Sequence, residues 1–291
     1  MTSIKDALDR GSSMLAEERQ PEQRGPRLDV QVLLGYVLKV ERAALYAHPE
    51  RLLSTQQEEQ FQRLLERRKR GEPVAYLVGS KEFFGLDFLV DKRVLIPRPE
   101  TELLVEAALS VIRSMLAAGH IPLVADIGTG SGIIPITLAV EEPRLPYLYA
   151  TDISAEALEV ARLNCQSHLV ERRIRLLHGD LLAPLPEPVD LLTANLPYVG
   201  TDEVDMLAAS IHAYEPHLAL FSGPRGLDLL YRFCTEARQS GKLKEHAVLL
   251  LEIGYQQREP LGRLLSELWP KAKVTFEKDY GGWDRVLKVV L

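Results

Sequence analysis

The sequence predicts an α/β protein in which a doubly wound, mostly parallel sheet with an antiparallel C-terminal edge hairpin follows a small N-terminal helical domain. Three observations support this fold class. After residue 121, short apolar runs alternate with helical stretches, a pattern that is typical of repeated βα units. The last two apolar runs are too close together for a helical crossover. In the first eighty residues, by contrast, apolar side chains recur at helical spacing.

Residues 1–80 are predicted to form the helical domain. Ser54 and Gln57 have the spacing of a capping box ahead of a helix, and Gly71 is expected to end that helix. The basic run ERRKR at 66–70 is interpreted as the solvated last turn of the helix rather than as a docking site for an acidic partner. An earlier helix is indicated by the spacing of Leu28, Leu33, Leu34, Val37 and Leu38.

Residues 81–98 are predicted to be a hairpin linker. The stretch EFFGLDFLVDKRVLI alternates aromatic and branched residues, which favours paired strands. We expect the turn of this hairpin at Asp91–Lys92, where the alternation is interrupted by two charges. The domain boundary is therefore placed in this linker.

Residues 99–291 are predicted to form the sheet domain. Its first helix, PRPETELLVEAAL, has Pro99 in the first turn and the carboxylates of Glu100 and Glu102 at the positive end of the helix dipole. Helical stretches such as AEALEVARLNC separate strands that read LVADI, YLYATDI, RIRLLHG, VDLLTAN and AVLLLEIG. The final runs KVTFEKD and DRVLKVVL, joined by YGGW, should pair antiparallel at one edge.

Composition narrows the class of protein. A chain of 291 residues with 46% apolar residues is long enough for two domains with a sizeable core. Its net charge of −6 is concentrated in residues 99–291, which argues against a domain that binds nucleic acid directly through its phosphates. Cys165 and Cys234 lack a CxxC or Cys/His partner, so we expect reduced thiols and no metal site. The charged N-terminus and short apolar runs predict a cytoplasmic protein with no membrane contact.

A glycine-rich turn, ADIGTGSG, follows the first predicted strand and is a candidate nucleotide-binding loop. Glycines let the backbone turn tightly and approach a ligand, and the next helix points its N–H groups towards it. A dinucleotide fingerprint would need glycine at position 133, where this chain has isoleucine, so the spacing favours S-adenosylmethionine. The candidate cofactor-binding residues of this loop are Asp126, Gly128, Thr129, Gly130, Ser131 and Gly132.

Carboxylates at the ends of the next two strands fit an adenosine group. Asp152, followed by Ile153, is placed where a carboxylate accepts both hydrogen bonds of a ribose diol. Asp180 is placed to accept a hydrogen bond from the adenine amino group while Leu181 packs on the ring. Each carboxylate taken alone also fits a helix cap or a turn. Suitable groups at three successive strand ends favour a ligand site, as does the known preference for that edge of an open sheet.

The fourth strand ends in the segment Asn195–Tyr198, which we call the substrate clamp and which holds the candidate catalytic residues. Asn195 is also a candidate cofactor-binding residue. A methyl donor needs a nucleophile whose lone pair points at the methyl group. The lone pair of an amide or aromatic amine nitrogen is delocalised, so such a nitrogen has to be held in place. The side-chain oxygen of Asn195 and the carbonyl of Leu196 can each accept one N–H of such a group, which orients it. Pro197 makes the turn rigid, and Tyr198 is expected to pack on the planar group. A turn built from asparagine and proline is the structural alternative.

The sequence resembles the glutamine N5-methyltransferases that modify peptide chain release factors. The resemblance runs almost the full length of the chain and rests on GEPVAYLVGSKEFFG, VLIPRPETELLVE, ADIGTGSGIIPITLA, EPHLALFSGPRGLDLLYRF, LLLEIGYQQ and KDYGGWDRVLKV. It implies a Rossmann-like methyltransferase domain that uses S-adenosylmethionine, and a helical domain that docks the release factor. It also implies that the substrate is the glutamine of a Gly-Gly-Gln motif, methylated by a monomer in translation termination.

One residue departs from the pattern of that family, which has Asn-Pro-Pro-Tyr at the clamp. Leu196 replaces the first proline, and the resulting NLPY is similar to the ribosomal RNA adenine dimethyltransferases. Leucine still supplies the backbone carbonyl but not the fixed φ of proline. Three alternatives remain open at this point: a glutamine methyltransferase acting on a ribosomal protein, an adenine N6-methyltransferase acting on RNA or DNA, and a module that binds S-adenosylmethionine without catalysis.

Overall fold

The computed structural model describes residues 2–16, 25–206 and 208–291, and the chain divides into two units. A helical unit comprises Met1–Ser80 together with Leu207–Tyr214. A sheet unit comprises Lys81–Met206 together with Glu215–Leu291.

The helical unit buries an apolar face of each long helix. Its helices are α1 (Ile4–Ala16), α2 (Pro26–Leu38), α3 (Arg42–Ala47), α4 (Thr55–Lys69), α5 (Val74–Val78) and, from the later segment, α9 (Ala209–Tyr214). In α1 the buried residues Ile4, Leu8 and Leu15 recur on one face. A Cβ atom on Gly11 would lie 2.9 Å from Val30, so glycine permits the close approach of α1 and α2. Phe61 of α4 is fully buried in the same core.

The predicted capping box at the start of α4 is confirmed. The hydroxyl of Ser54 accepts a hydrogen bond from the Gln57 amide at 3.2 Å, and the Ser54 amide donates to the Gln57 side chain at 2.9 Å. Beyond the end of α4, Gly71 has a φ of 97°, which favours glycine. In the basic run, Arg68 donates to Asp29 at 2.8 Å, and both side chains are largely buried. That pair holds α4 to α2 within the helical unit.

The sheet unit is built on a mostly parallel sheet with an antiparallel edge, as predicted. In the described part of the chain this sheet has seven strands, in the order β5-β4-β3-β6-β7-β9-β8. They are β3 (Val124–Ile127), β4 (Leu148–Asp152), β5 (Ile174–His178), β6 (Val189–Ala194), β7 (Leu243–Glu252), β8 (Lys273–Lys278) and β9 (Asp284–Val290). Strands β8 and β9 pair antiparallel, and β9 also pairs antiparallel with β7.

Helices cover both faces of this sheet. They are α6 (Thr101–Ala117), α7 (Ile133–Glu141), α8 (Ala155–Ser167), α10 (Asp228–Gln239) and α11 (Arg258–Leu268). Alternate residues of one strand enter different cores, because side chains alternate across a sheet. Val124 belongs to the core that α6 and α7 complete, and Ala125 to the core that α10 and α11 complete. Both cysteines are buried in these cores as free thiols.

The register of the parallel strands gathers their carboxyl ends along one edge. Ile127 at the end of β3 pairs with Thr151 of β4 and with Ala194 at the end of β6. Ala194 in turn pairs with Leu251, one residue before the end of β7. The residues that follow β3, β4 and β6 therefore meet at the site where open α/β sheets bind ligands.

The turn of the hairpin was predicted at the wrong place. Strands β1 (Ser80–Phe83) and β2 (Leu86–Leu89) are joined at Phe84–Gly85, not at Asp91–Lys92. Both turn residues have positive φ, 53° for Phe84 and 73° for Gly85, as a two-residue hairpin turn requires. The charged dipeptide instead belongs to a local bend in which Arg93 donates to Asp91.

No described helix is both long enough and apolar enough to cross a lipid bilayer.

Candidate active site

A cavity of about 450 Å³ lies at the carboxyl ends of β3, β4 and β6. Residues from four segments that the sequence predicted separately, after β3, β4, β5 and β6, line it together. The predicted residues on its wall are Gly128, Thr129, Gly130, Ser131, Asp152, Ile153, Asp180, Leu181, Asn195, Leu196 and Pro197. The wall does not include Asp126, Gly132 or Tyr198, which lie behind it.

The glycine loop has a conformation and a shape that suit a closely bound ligand. Gly128, Gly130 and Gly132 all have positive φ, between 57° and 82°. A Cβ atom on Gly132 would come within 2.9 Å of Ile136, so this glycine lets α7 begin against the loop. A Cβ atom on Gly130 would meet nothing within 4 Å and lies in open space. The loop therefore presents bare backbone to the cavity.

Two backbone amides hold the carboxylate of Asp152 in place. One carboxylate oxygen accepts from the Gly130 amide at 2.8 Å, and the other accepts from the Ser154 amide at 2.8 Å. Each oxygen of a carboxylate can accept a second hydrogen bond, so two acceptor positions remain for a diol. Burial raises the pKa of Asp152 above its usual value. The arrangement suits the ribose role that the sequence predicts.

The predicted adenine end of the cavity is more open. Ile153 has 51% of its surface exposed, which gives an apolar surface for a ring to pack against. Leu181 is buried, and its carbonyl accepts from the Thr151 hydroxyl at 3.0 Å. The carboxylate of Asp180 is half exposed and forms an ion pair with Arg232 of α10. The sequence analysis did not anticipate Arg232, which shares the acceptor assigned to the adenine amino group.

Asp126 lies beneath the loop. It is 1% exposed, and one of its oxygens accepts from the Thr193 hydroxyl of β6 at 2.7 Å. Its other oxygen and the hydroxyl of Thr129 are buried and have no hydrogen-bond partner among the described residues. Burial raises the pKa of Asp126 to about 7. Asp126, predicted as a cofactor-binding residue, is part of β3, does not line the cavity and accepts from Thr193 of the neighbouring strand β6.

The amide of Asn195 is held from behind by two side chains. Its nitrogen donates to a carboxylate oxygen of Glu252 at 2.9 Å and to the hydroxyl of Thr101 at 3.0 Å. Because the nitrogen is bonded on that side, the side-chain oxygen is left to accept from a group in the cavity. Glu252 ends β7 and Thr101 begins α6, and neither was identified from the sequence.

Tyr198, the last residue of the clamp, does not line the cavity and is anchored by its own contacts. Its hydroxyl donates to Glu252 at 3.0 Å, and burial together with that carboxylate raises the pKa of the phenol. Its carbonyl accepts from the Gln257 side chain at 2.9 Å. A Cβ atom on Gly254 would lie 3.2 Å from the Gln257 side chain, so glycine favours the close approach of the side chain that holds the Tyr198 carbonyl. These contacts fix the ring and the backbone of Tyr198 from two sides.

The residues that the sequence analysis missed lie inside motifs that it did single out. Thr101 is in IPRPETE, and Glu252 and Gln257 are in LLLEIGYQQ. In the first of these motifs Arg98 pairs with buried Glu215 at 2.5 Å, and Glu102 accepts from the Phe84 amide at 3.0 Å. Their position within these motifs was the signal in the sequence that could have identified them. A motif does not indicate which side chain each of its residues contacts.

Known proteins match this chain over nearly its full length. Residues 6–79 match the PrmC N-terminal domain, and residues 103–218 match the methyltransferase small domain. The release factor glutamine methyltransferase of Koribacter versatilis is 38% identical over 289 residues, covering 98% of this chain and 97% of its own. That of Moorella thermoacetica is 41% identical over 261 residues and covers 89% of each chain. That of Bacillus cereus is 36% identical over 287 residues and covers 98% of each chain.

Solved structures share the fold. The hMettl16 catalytic domain in complex with MAT2A 3′UTR hairpin 6 matches with a TM-score of 0.56 at 18% identity, covering 78% of this chain and 81% of that one. Human methyltransferase 10 domain containing protein matches with a TM-score of 0.51 at 17% identity, covering 71% of this chain and 88% of that one. At such low identity the likeness shows the Rossmann-like methyltransferase fold alone.

The predicted cofactor is confirmed as S-adenosylmethionine. Bare backbone at Gly130, free acceptor positions on Asp152 and the exposed face of Ile153 suit an adenosine group. The methyltransferase domain and the full-length relatives together establish the class of enzyme. This chain is an S-adenosylmethionine-dependent methyltransferase, and it belongs to the release factor glutamine methyltransferase family.

Proposed function

We propose that this protein methylates the side-chain amide nitrogen of a glutamine in a peptide chain release factor, at its Gly-Gly-Gln motif. The observation that supports the proposal most directly is the orientation of Asn195. Its nitrogen is bonded to Glu252 and Thr101, so its oxygen is the atom offered to the cavity. An acceptor at that point suits a substrate NH2 group, which donates.

The clamp residues would orient the substrate nitrogen. When bound, S-adenosylmethionine supplies an electrophilic methyl group on sulfur. The Asn195 oxygen and the Leu196 carbonyl each accept one N–H of the glutamine amide, which turns the nitrogen lone pair towards the methyl group. Bound S-adenosylmethionine would supply the methyl group: its S–C bond would break as the N–C bond forms, S-adenosylhomocysteine would be left, and the substrate nitrogen would lose one N–H proton to water. Preorganised acceptors of this kind stabilise the charge that develops on nitrogen in the transition state.

A direct assay tests the proposed substrate. The protein is incubated with labelled S-adenosylmethionine and, separately, a release factor, a large-subunit ribosomal protein or ribosomal RNA, and mass spectrometry locates the methyl group. We expect label on the glutamine of Gly-Gly-Gln. Label on another protein or on adenine would support one of the two enzymatic alternatives, and no transfer to any substrate would support a binding module without catalysis.

We further propose that the helical unit recognises the protein substrate, and that the enzyme acts as a cytoplasmic monomer without direct contact to nucleic acid. Tyr36 and Leu52 support docking by the helical unit, because both are large apolar side chains with about half of their surface exposed. Replacing both with serine should reduce kcat/KM for a full-length release factor far more than for a short Gly-Gly-Gln peptide. Ile121→Ser, an equally exposed site in the sheet unit, is the control.

A further inference from the structure

Glu252 is a fully buried carboxylate that joins three separate parts of the sheet unit. It is 0% exposed at the end of β7. One of its oxygens accepts from the Thr101 hydroxyl at 2.7 Å and from the Asn195 amide at 2.9 Å. The other oxygen accepts from the Tyr198 hydroxyl at 3.0 Å. Every hydrogen bond on this carboxylate is therefore one that it accepts.

We propose that Glu252 is a positioning residue that sets which end of the Asn195 amide faces the substrate. This role rests on the proposed methyl transfer to an amide nitrogen. Glu252 would be the group that makes the clamp selective for a substrate NH2. The two ends of an asparagine amide have nearly the same size and shape. Only the hydrogen-bond partners distinguish them, so the residue behind the amide decides which end faces forward.

The surroundings of the Asn195 nitrogen admit one orientation. In the observed orientation the NH2 group meets the Glu252 carboxylate and the Thr101 oxygen, and it donates to both. If the amide were reversed, its oxygen would face the carboxylate at the same short distance with no proton between them. The Thr101 hydroxyl could donate to the reversed oxygen only by giving up its own hydrogen bond to Glu252. The reversed amide would also present its NH2 group to the cavity, where it could not accept from a substrate N–H.

Glu252 orients the amide in its ionised state, in which both of its oxygens are acceptors. Burial raises the pKa of Glu252, and the charge of Glu100 acts in the same direction. The hydrogen bonds from Thr101 and Tyr198 and the charge of Arg285 act in the opposite direction. Protonation would turn one acceptor oxygen into a donor and would remove the charge that holds the amide. Loss of the clamp on acidification is expected at a higher pH than for an ordinary glutamate.

The test uses the full-length enzyme and a release factor under single-turnover conditions, across a range of pH. Glu252→Gln keeps the shape of the side chain and removes its charge. We expect it to lower the methyl-transfer rate by about tenfold to a hundredfold and to abolish the acidic limb of the wild-type pH profile. Thr101→Val should lose more of the rate than Thr101→Ser, because only serine keeps the hydroxyl. Affinity for S-adenosylhomocysteine should change little in all three variants.

The outcomes separate this inference from the proposed function. If glutamine is methylated and Glu252→Gln has the rate and the acidic limb of the wild type, the positioning role is wrong. If the label appears on adenine, the proposed substrate is wrong, while the same variant comparison still decides the role of Glu252, since an adenine amino group needs the same acceptor. A rate loss accompanied by an equal loss of cofactor affinity would show that Glu252 is only structural.

Discussion

Leu196 of the substrate clamp packs directly against Gly128 of the cofactor loop. A Cβ atom on Gly128 would come within 2.8 Å of a Leu196 methyl group, and the Leu196 side chain is 3% exposed. The loop that carries the methyl donor and the segment that holds the substrate are thus packed on each other. A shift of one should displace the other.

Gly128→Ala should therefore weaken cofactor binding and slow methyl transfer together. The new methyl group collides with Leu196, and the φ of 74° adds backbone strain of about 1–2 kcal/mol. We expect a loss of about tenfold or more in cofactor affinity by calorimetry, and a larger loss in single-turnover rate. Gly119→Ala is the matched control, because Gly119 has a φ of 81° but open space around its Cβ position. Equal effects of the two substitutions on activity would contradict the packing argument.

Leu196→Pro, which restores the proline of the related family, tests how much of the clamp depends on the side chain. The backbone carbonyl remains, so we expect methyl transfer to persist within about tenfold of the wild type. The buried leucine side chain is lost from contact with Gly128, so the free energy of unfolding should fall by about 1–3 kcal/mol. Chemical denaturation and single-turnover rates measure the two effects. Complete loss of transfer with normal cofactor binding would show that the carbonyl is not the functional part.

Asn195→Ala should lower the methyl-transfer rate by about 10²–10³, the scale for losing one preorganised polar contact in a transition state. Cofactor affinity should change much less, since the contacts of Asp152 and the glycine loop are untouched. Tyr198→Phe removes only the hydroxyl bonded to Glu252 and should lower the methyl-transfer rate less than Tyr198→Ala, which also removes the ring. A normal rate for Asn195→Ala would exclude the proposed clamp.

Asp152→Ala should weaken S-adenosylmethionine binding by roughly 1–3 kcal/mol, because two ribose hydroxyls lose their acceptor and the Gly130 amide loses its partner. Isothermal titration calorimetry measures the change. Asp180→Ala should weaken binding less, because that carboxylate is half exposed and already paired with Arg232. NAD should not compete in either variant or in the wild type.

Asp126 should make the stability of the cofactor-free protein depend on pH in an unusual direction. The pKa of Asp126 is about 7 in the folded protein, against 3.8 for an ordinary aspartate such as that of the unfolded chain. Between about pH 4 and 7 the folded state therefore keeps a proton that the unfolded state has lost. The free energy of unfolding, measured relative to Asp126→Asn, should therefore fall as pH rises through this range. The comparison is made by denaturant titration of both proteins at each pH.

Asp190→Asn provides the opposite control for that measurement. Burial opposes the shift, but hydrogen bonds from Lys244, the Leu123 amide and His120 hold the pKa of Asp190 below its usual value. Its contribution to stability is therefore present above the unfolded pKa and is lost as pH falls through the lower folded value. Differences of the same sign for both variants would refute the assignment of Asp126.

Local sequence signals accounted for the elements and for the strand ends. The capping box at Ser54 and Gln57 involves residues three positions apart, so its chemistry can be read directly from the chain. The hairpin turn was harder, because Phe84 adopts a positive φ that an aromatic residue rarely takes. The adjacent Gly85 is the local signal for the turn, because glycine adopts a positive φ freely. The charged pair Asp91–Lys92 also fits a turn by composition, and the prediction followed that pair.

The sequence by itself determined that polar groups follow β3, β4, β5 and β6, because strand, turn and glycine-loop patterns are local. Only the tertiary structure decided what stands behind them. Glu252 is 57 positions from Asn195, and Thr101 is 94 positions from it, yet all three share hydrogen bonds. Such contacts depend on the register of β7 beside β6 and on where α6 begins across the sheet. No local pattern encodes a distance between residues so far apart in the chain, so the orientation of the Asn195 amide became apparent only once the chain was folded.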